Sequence, residues 1–260
     1  MIDRGTGIPI VVIPGVQGRW EWMRPAIDAL AQKHRVITFS LCDERTSPFP
    51  CDLNLAFENY ITQVDTALDR AGIERAVIAG VSFGGLIATE FAARRPDRTS
   101  ALVLASALHA SFELDPLQQR YLKSPLLMSP LFAARAPGRM LSELSVTFPT
   151  IMQRLRFTAA NSMRVAMAPS SPSRMARRVA WARKHQFADP RSVKAPALIV
   201  TGEPGLDRIV PVDLSRRYLN DLEGAEHVVL KRTGHIGMVT RPDAFAGVLE
   251  RFVDGVRLSA

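Results

Sequence analysis

The sequence predicts an α/β domain: a mostly parallel sheet of about six strands flanked by helices, with a helical segment inserted into it. Short β-branched runs alternate with longer helical patterns. The runs are nearly continuous in apolar residues rather than alternating, as strands covered on both faces are. The alternation breaks between about 108 and 190, where no strand pattern occurs. A chain of 260 residues accommodates one such domain with a full core. Residues 1–107 and 191–260 are therefore read as one α/β core, and 108–190 as an inserted helical cap.

The elements follow in order. Ile8 to Ile13 reads as the first strand, followed by a helix over roughly 24–33 and a strand from Val36 to Ser40. Only about eight residues precede that first strand, too few for an opening antiparallel hairpin. Val36 to Ser40 is thus expected at an exposed edge, covered or paired with another subunit. A helix over 54–71 closes at Gly72, the strand Ala76 to Ala79 follows, and a helix over 85–94 stops before Pro96. After the strand Ala101 to Ala105, Pro116, Pro125, Pro130, Pro137, Pro149, Pro169 and Pro172 are expected to divide the insertion into short helices. Its last helix begins near Pro172 and aligns Met175, Val179 and Ala182 on one apolar face, with Arg174, Arg177, Arg178 and Lys184 mostly directed elsewhere. Strands Ala197 to Thr201 and His227 to Leu230 complete the sheet, with helices over 212–221 and 242–255.

Composition narrows the function classes. No apolar run approaches the roughly 20 residues of a membrane-spanning helix, so stable membrane insertion is not expected. The start, Met1 to Gly7, shows no secretory signal, which points to the cytoplasm. In that compartment Cys42 and Cys51 are expected to stay reduced. The net charge of +8 is concentrated in one place, because residues 108–190 hold 12 Lys/Arg against 4 Asp/Glu while the remainder holds 21 of each. Such a face is solvated, or attracts an anionic substrate, an acidic partner or an anionic membrane surface; nucleic acid is not among the expected partners.

The chemistry starts at Gly80-Val81-Ser82-Phe83-Gly84-Gly85, a Gly-x-Ser-x-Gly-Gly motif between a strand and a helix. A serine on so sharp a turn is held at positive φ and leaves no room for Cβ atoms two residues to either side, hence Gly80 and Gly84. A serine hydroxyl at neutral pH needs an imidazole to take its proton and a carboxylate to fix that imidazole's tautomer. His235 lies in the loop after the last strand, at the carboxyl end where α/β sheets form ligand sites. None of the other four histidines has an equivalent position, and only His109 is a plausible second visitor. Two carboxylates follow the strand ending at Thr201: Asp207, just before the Ile209-Val210-Pro211 turn, and Glu203 as the alternate. The order Ser, Asp, His is kept with either.

An acyl-transfer site needs two backbone donors for an oxyanion. The amide of Phe83 is one, and the Pro14-Gly15-Val16-Gln17-Gly18 loop offers the other at Val16, with Gln17 next. Trp20 follows that loop, and it joins Gln17, His109 and Trp181 as a candidate for the substrate pocket. The inserted segment carries six of the nine methionines together with Leu126, Leu127, Phe132, Phe148 and Phe157, enough to roof an apolar pocket.

With these motifs in sequence order over nearly its whole length, the chain resembles the α/β-hydrolase superfamily, in its capped esterase, lactonase and carbon–carbon hydrolase branch. Serine at the nucleophile position separates it from the dehalogenase and epoxide hydrolase branches, which use aspartate there. Two departures stand out: Pro14 occupies the place where the family usually has histidine before the oxyanion glycine, and the loop from Thr201 to Asp207 exceeds the usual family spacing. The resemblance implies an enzyme without metal or organic cofactor that cleaves a small or medium carboxylic ester. Its substrate is expected to be apolar or anionic, and the chain a monomer or homodimer. Lactone or carbon–carbon bond hydrolysis on the same residues, acyl transfer, and a non-catalytic ligand receptor are the alternatives.

Overall fold

The computed structural model describes residues 1–258. Seven strands form one sheet: β1 (Ile2–Arg4), β2 (Pro9–Ile13), β3 (Arg35–Thr38), β4 (Ala76–Val81), β5 (Thr99–Ala105), β6 (Ala197–Thr201) and β7 (Glu226–Val229). Their order is β1-β3-β2-β4-β5-β6-β7, and every pair is parallel except β1 with β3.

The helices are α1 (Arg24–Leu30), α2 (Glu58–Arg70), α3 (Gly84–Arg94), α4 (Pro116–Lys123), α5 (Pro125–Thr147), α6 (Ile151–Met167) and α7 (Pro172–Lys184). After β6 come α8 (Val212–Arg216), α9 (Tyr218–Asp221), α10 (Gly237–Thr240) and α11 (Pro242–Leu258). Helices α4 to α7 all lie between β5 and β6 in the chain.

Strand alternation divides the core into two layers. Val11, Ile37, Ile78, Leu102 and Ile199 face α2 and α3, where Tyr60, Val64, Leu86 and Phe91 are fully buried. Ile10, Val36, Val77, Val103 and Leu198 face α1 and α11, where Ile27, Leu30, Phe245 and Leu249 close the other side. Covering both faces explains why the central strands β2, β4 and β6 are almost wholly apolar.

Two expectations need correction. The strand at Arg35–Thr38 is not an open edge, because β1 pairs with it antiparallel through Ile2 to Arg4. Three residues suffice because Gly5 and Gly7, at φ 78 and 101, turn the chain back tightly, and a Cβ on Gly5 would meet the His34 carbonyl at 2.2 Å. Asp3 then receives both Nε and Nη2 of Arg35, at 3.0 and 2.7 Å.

The second correction concerns α5, which runs for 23 residues through positions 130 and 137 rather than breaking at them. Pro130 sits early in the helix, and the Leu126 carbonyl it leaves without an amide accepts from Ser129 Oγ at 2.9 Å. Pro116, Pro125 and Pro172 instead occupy helix starts, where a missing N–H costs nothing.

Candidate active site

All the parallel strands end at one edge of the sheet, and the candidate residues lie just beyond it. Ser82 directly follows β4, Asp207 lies in the loop after β6, and His235 lies in the loop after β7. Ser82 has φ 54, a conformation that costs a non-glycine residue of order 1–3 kcal/mol and persists only when its surroundings impose it.

The surroundings do impose it. A Cβ on Gly80 would lie 2.3 Å from the Gly84 carbonyl, and one on Gly84 would lie 2.5 Å from the Ile13 carbonyl. A Cβ on Gly85 would sit 2.4 Å from Ala107 Cβ. The turn is therefore packed by backbone at Gly80 and Gly84 and by the Ala107 side chain at Gly85, and the Ser82 carbonyl accepts from the amides of Gly85 and Leu108, both at 2.9 Å. Phe83 is buried behind it, its ring edge-on to Phe57 and Tyr60.

His235 Nδ1 lies 3.0 Å from Asp207 Oδ2. The other carboxylate oxygen, Oδ1, accepts from the amides of Ile209 and Val210 at 3.0 and 2.9 Å, so the aspartate is held in place before it meets the imidazole. Glu203 goes elsewhere: its Oε1 accepts from the Arg232 amide at 2.7 Å, tying the loop after β6 to the loop after β7. The two loops touch backbone to backbone at Gly202, where a Cβ would meet the Gly234 carbonyl at 2.5 Å. Val81, the residue before Ser82, lines the same small cavity as His235.

The Pro14–Gly18 loop abuts the serine. A Cβ on Gly15 would be 3.4 Å from Ser82 Cβ and 3.1 Å from the side-chain oxygen of Gln17, which folds back over the turn. The Val16 carbonyl accepts from Arg178 Nη1 at 2.8 Å.

The other pocket candidates are placed differently from their sequence expectation. His109 is buried, with Nδ1 on Ser111 at 2.7 Å and Nε2 on Asp221 at 2.8 Å, so both ring nitrogens are already engaged. Trp181 lines a separate cavity of about 370 Å³ with Leu55, Phe57 and His185, and packs against Tyr60. Trp20 lies in a short 3₁₀ turn and is partly buried against the core. Leu126 and Leu127 point to solvent instead of roofing a pocket. Glu58, Glu90 and His185 cluster closely enough to hold a metal ion. Arg94 Nη1 already pairs with Glu58 at 2.7 Å, and the Ala188 amide with Glu90 at 2.8 Å.

Two residues that sequence reading passed over hold the site's loops. Glu143, on α5, is 2% exposed and makes no ion pair among the described residues. Its Oε2 accepts from the Ile236 amide at 3.1 Å and its Oε1 from Thr240 Oγ1 at 2.9 Å, with the Gly234 amide also donating to it. The residues on either side of His235 are thus anchored by a carboxylate from the insertion. Arg232 adds a second tie, its Nη2 donating to the Val146 carbonyl at the end of α5 at 2.8 Å. A signal existed: Glu143 neighbours the buried Leu144 and is one of only 4 acids in residues 108–190.

Burial raises the Glu143 carboxyl above the ordinary glutamate range, and the amides of Ile236 and Gly234 offset only part of this. A carboxyl raised in the folded state contributes stability that is full at pH below its unfolded value and is lost as pH rises through the folded one. Glu143→Gln, which keeps an acceptor for the amides, is therefore expected to gain melting temperature relative to the parent as pH rises above the ordinary glutamate value of about 4.3. Thermal unfolding as a function of pH checks this; a difference that does not grow with pH would mean the carboxylate is not strained. Glu143→Ala leaves the amides unpaired and should cost about 1–3 kcal/mol at low pH, and less as pH rises.

Comparison with known proteins follows this geometry. The model of the alpha/beta hydrolase fold family matches residues 8–242. Over 259 residues the chain is 27% identical to the 2-hydroxy-6-oxo-2,4-heptadienoate hydrolase of Pseudomonas putida, covering 96% of this chain and 91% of that protein. It is 27% identical over 227 residues to a pimeloyl-(acyl-carrier protein) methyl ester esterase of Neisseria meningitidis, covering 81% of this chain and 79% of that one. The crystal structure of the enol-lactonase from Burkholderia xenovorans LB400 aligns with a TM-score of 0.73 at 23% identity, over 97% of this chain and 95% of that chain.

Proposed function

The chain belongs to the alpha/beta hydrolase fold family and is a hydrolase, and on that premise we propose that it cleaves a small or medium carboxylic ester through Ser82, His235 and Asp207. The observation that carries the reading is the pairing of a serine held at φ 54 at the end of β4 with a histidine–aspartate hydrogen bond of 3.0 Å in the loops after β6 and β7.

The steps follow from the roles of these groups. Asp207 keeps the Nδ1 proton on His235, so Nε2 is the free base. It takes the Ser82 proton as Oγ bonds to the ester carbonyl, and the carbonyl's electron pair becomes an oxyanion. The amides of Phe83 and Val16 receive that charge. His235 returns its proton to the leaving alcohol as the carbon–oxygen bond breaks, leaving an acyl-serine. Water, deprotonated by His235, releases the acid and restores Ser82. Glu143 acts as a positioning residue for His235, and α4 to α7 form a cap over residues 108–190 that selects the substrate.

Fluorophosphonate labelling and turnover of short-chain nitrophenyl esters test the assignment. Wild type is expected to label and turn over; Ser82→Ala should lose the label and roughly 10⁶-fold in kcat. A wild type that neither labels nor turns over would remove the triad reading. A second reading, carbon–carbon bond hydrolysis, is favoured by similarity to the Pseudomonas putida hydrolase along 96% of this chain. Product analysis on vinylogous diketones and lactones beside simple esters separates these activities, since one triad serves all three.

A further inference from the structure

Within the insertion, α6 exposes an apolar face on the side away from Phe157. Along α6, Met152, Leu155, Ala159 and Met163 succeed one another at intervals of three or four, and the three larger ones are 57%, 59% and 59% exposed. This spacing makes one continuous stripe on a helix about 25 Å long. The orientation of α6 is fixed from its other side. Phe157 stacks on Phe148 at 5.0 Å and packs onto the core. Thr150 and Gln153 cap the first turn reciprocally, and the Ala168 carbonyl after the last turn accepts from Trp22 Nε1 at 2.9 Å.

The exposed charge of the segment that carries this face has one sign. Residues 116–167 hold 7 Lys/Arg, among them the exposed Lys123, Arg135 and Arg156, and a single acid, Glu143, which is buried. We infer that α6 and its flanking cations form a docking surface for an anionic lipid membrane, with the helix lying in the headgroup plane. An exposed apolar stripe with Arg156 beside it, on a segment whose exposed charges are all cations, has the composition of an interfacial helix, since each component strengthens binding to a negatively charged bilayer. A second copy of the chain would bring the same uncompensated positive charge to the contact, which opposes self-association. Spanning is not at issue, because no helix of the described residues is long and apolar enough to cross a membrane. The inference is independent of the chemistry proposed for Ser82.

Sedimentation of the full chain with vesicles tests it. Expected is binding to phosphatidylcholine vesicles containing phosphatidylglycerol, little binding to phosphatidylcholine alone, and a fall as salt is raised. Lys123→Gln and Arg156→Gln should each lower the partition constant roughly fivefold. Leu155→Ser with Met163→Ser should lower it more than about tenfold, without a change in melting temperature, because both side chains are exposed. If the double variant does not fold, the charge variants and the salt titration on the unaltered chain decide the matter. Absence of binding to anionic vesicles at low salt, or binding indifferent to these substitutions, would overturn the inference. So would a concentration-dependent dimer that Leu155→Ser dissociates, which would assign the face to a second copy.

Discussion

Asp207→Asn is expected to lower kcat for a nitrophenyl ester by roughly 10⁴-fold while leaving KM nearly unchanged. The carboxylate does two separate things: Oδ1 accepts from two backbone amides and Oδ2 meets His235 Nδ1 at 3.0 Å. Asparagine satisfies the amides with its carbonyl and presents an NH₂ group to the imidazole. His235 must then accept on Nδ1 and carry its proton on Nε2, where it no longer takes one from serine. The fold survives and the base is lost, so the effect falls on kcat. Glu203→Gln makes the contrast, because that side chain meets the Arg232 amide and its replacement keeps an acceptor there. Steady-state kinetics on the two variants decide between the carboxylates: equal losses, or a larger loss at Glu203, would sink the assignment of Asp207.

The parts of this molecule that were legible in its sequence are those governed by neighbouring residues. Six strands stand out because each is a short, mostly apolar run, and the elbow stands out because its glycines answer a local steric demand. The missed strand β1 has three residues, of which two are charged, and is held by pairing across the turn at Gly5 and Gly7. Glu143 and Arg178 were hidden for a different reason: their partners lie 93 to 97 and 134 to 162 residues away in the chain. Helical spacing did contain a clue for Arg178. It stands four residues before the buried Ala182, and thus on the same face, whereas Met175 and Val179, chosen as the apolar side, are only partly buried. A buried arginine contradicts the usual reading of cations as a solvated face, and only the carboxylates it meets explain it.

Those carboxylates make Arg178 the position with the largest expected effect on stability. The side chain is fully buried; Nε and Nη2 donate to Asp43 Oδ1 at 2.9 and 2.8 Å, and Nη2 also donates to Glu44 Oε1 at 2.6 Å. Arg178→Met leaves two buried acids with only the outer guanidinium groups of Arg177 and Arg174, at 3.3 and 3.1 Å. Removing one partner of a buried ion pair costs about 3–5 kcal/mol, equivalent to a melting temperature lower by roughly 6–20 °C in a domain of this size. Replacing all three charges, as Arg178→Met with Asp43→Leu and Glu44→Met, should recover most of that stability, since an apolar trio of similar volume leaves no fully buried charge uncompensated and the released Arg174 and Arg177 are part-exposed. It should not recover turnover. The same guanidinium donates to the Val16 carbonyl at 2.8 Å and fills the space against Gly18, where a Cβ would meet Nη1 at 2.4 Å. That arginine therefore sets the height of the loop whose amide is proposed to receive the oxyanion. A loop released from it loses transition-state stabilisation more than substrate binding, so kcat falls while KM holds. Unfolding curves and kinetics on the single and triple variants separate the two roles: restored stability with depressed kcat marks a positioning residue, and restoration of both would make Arg178 a structural pin alone.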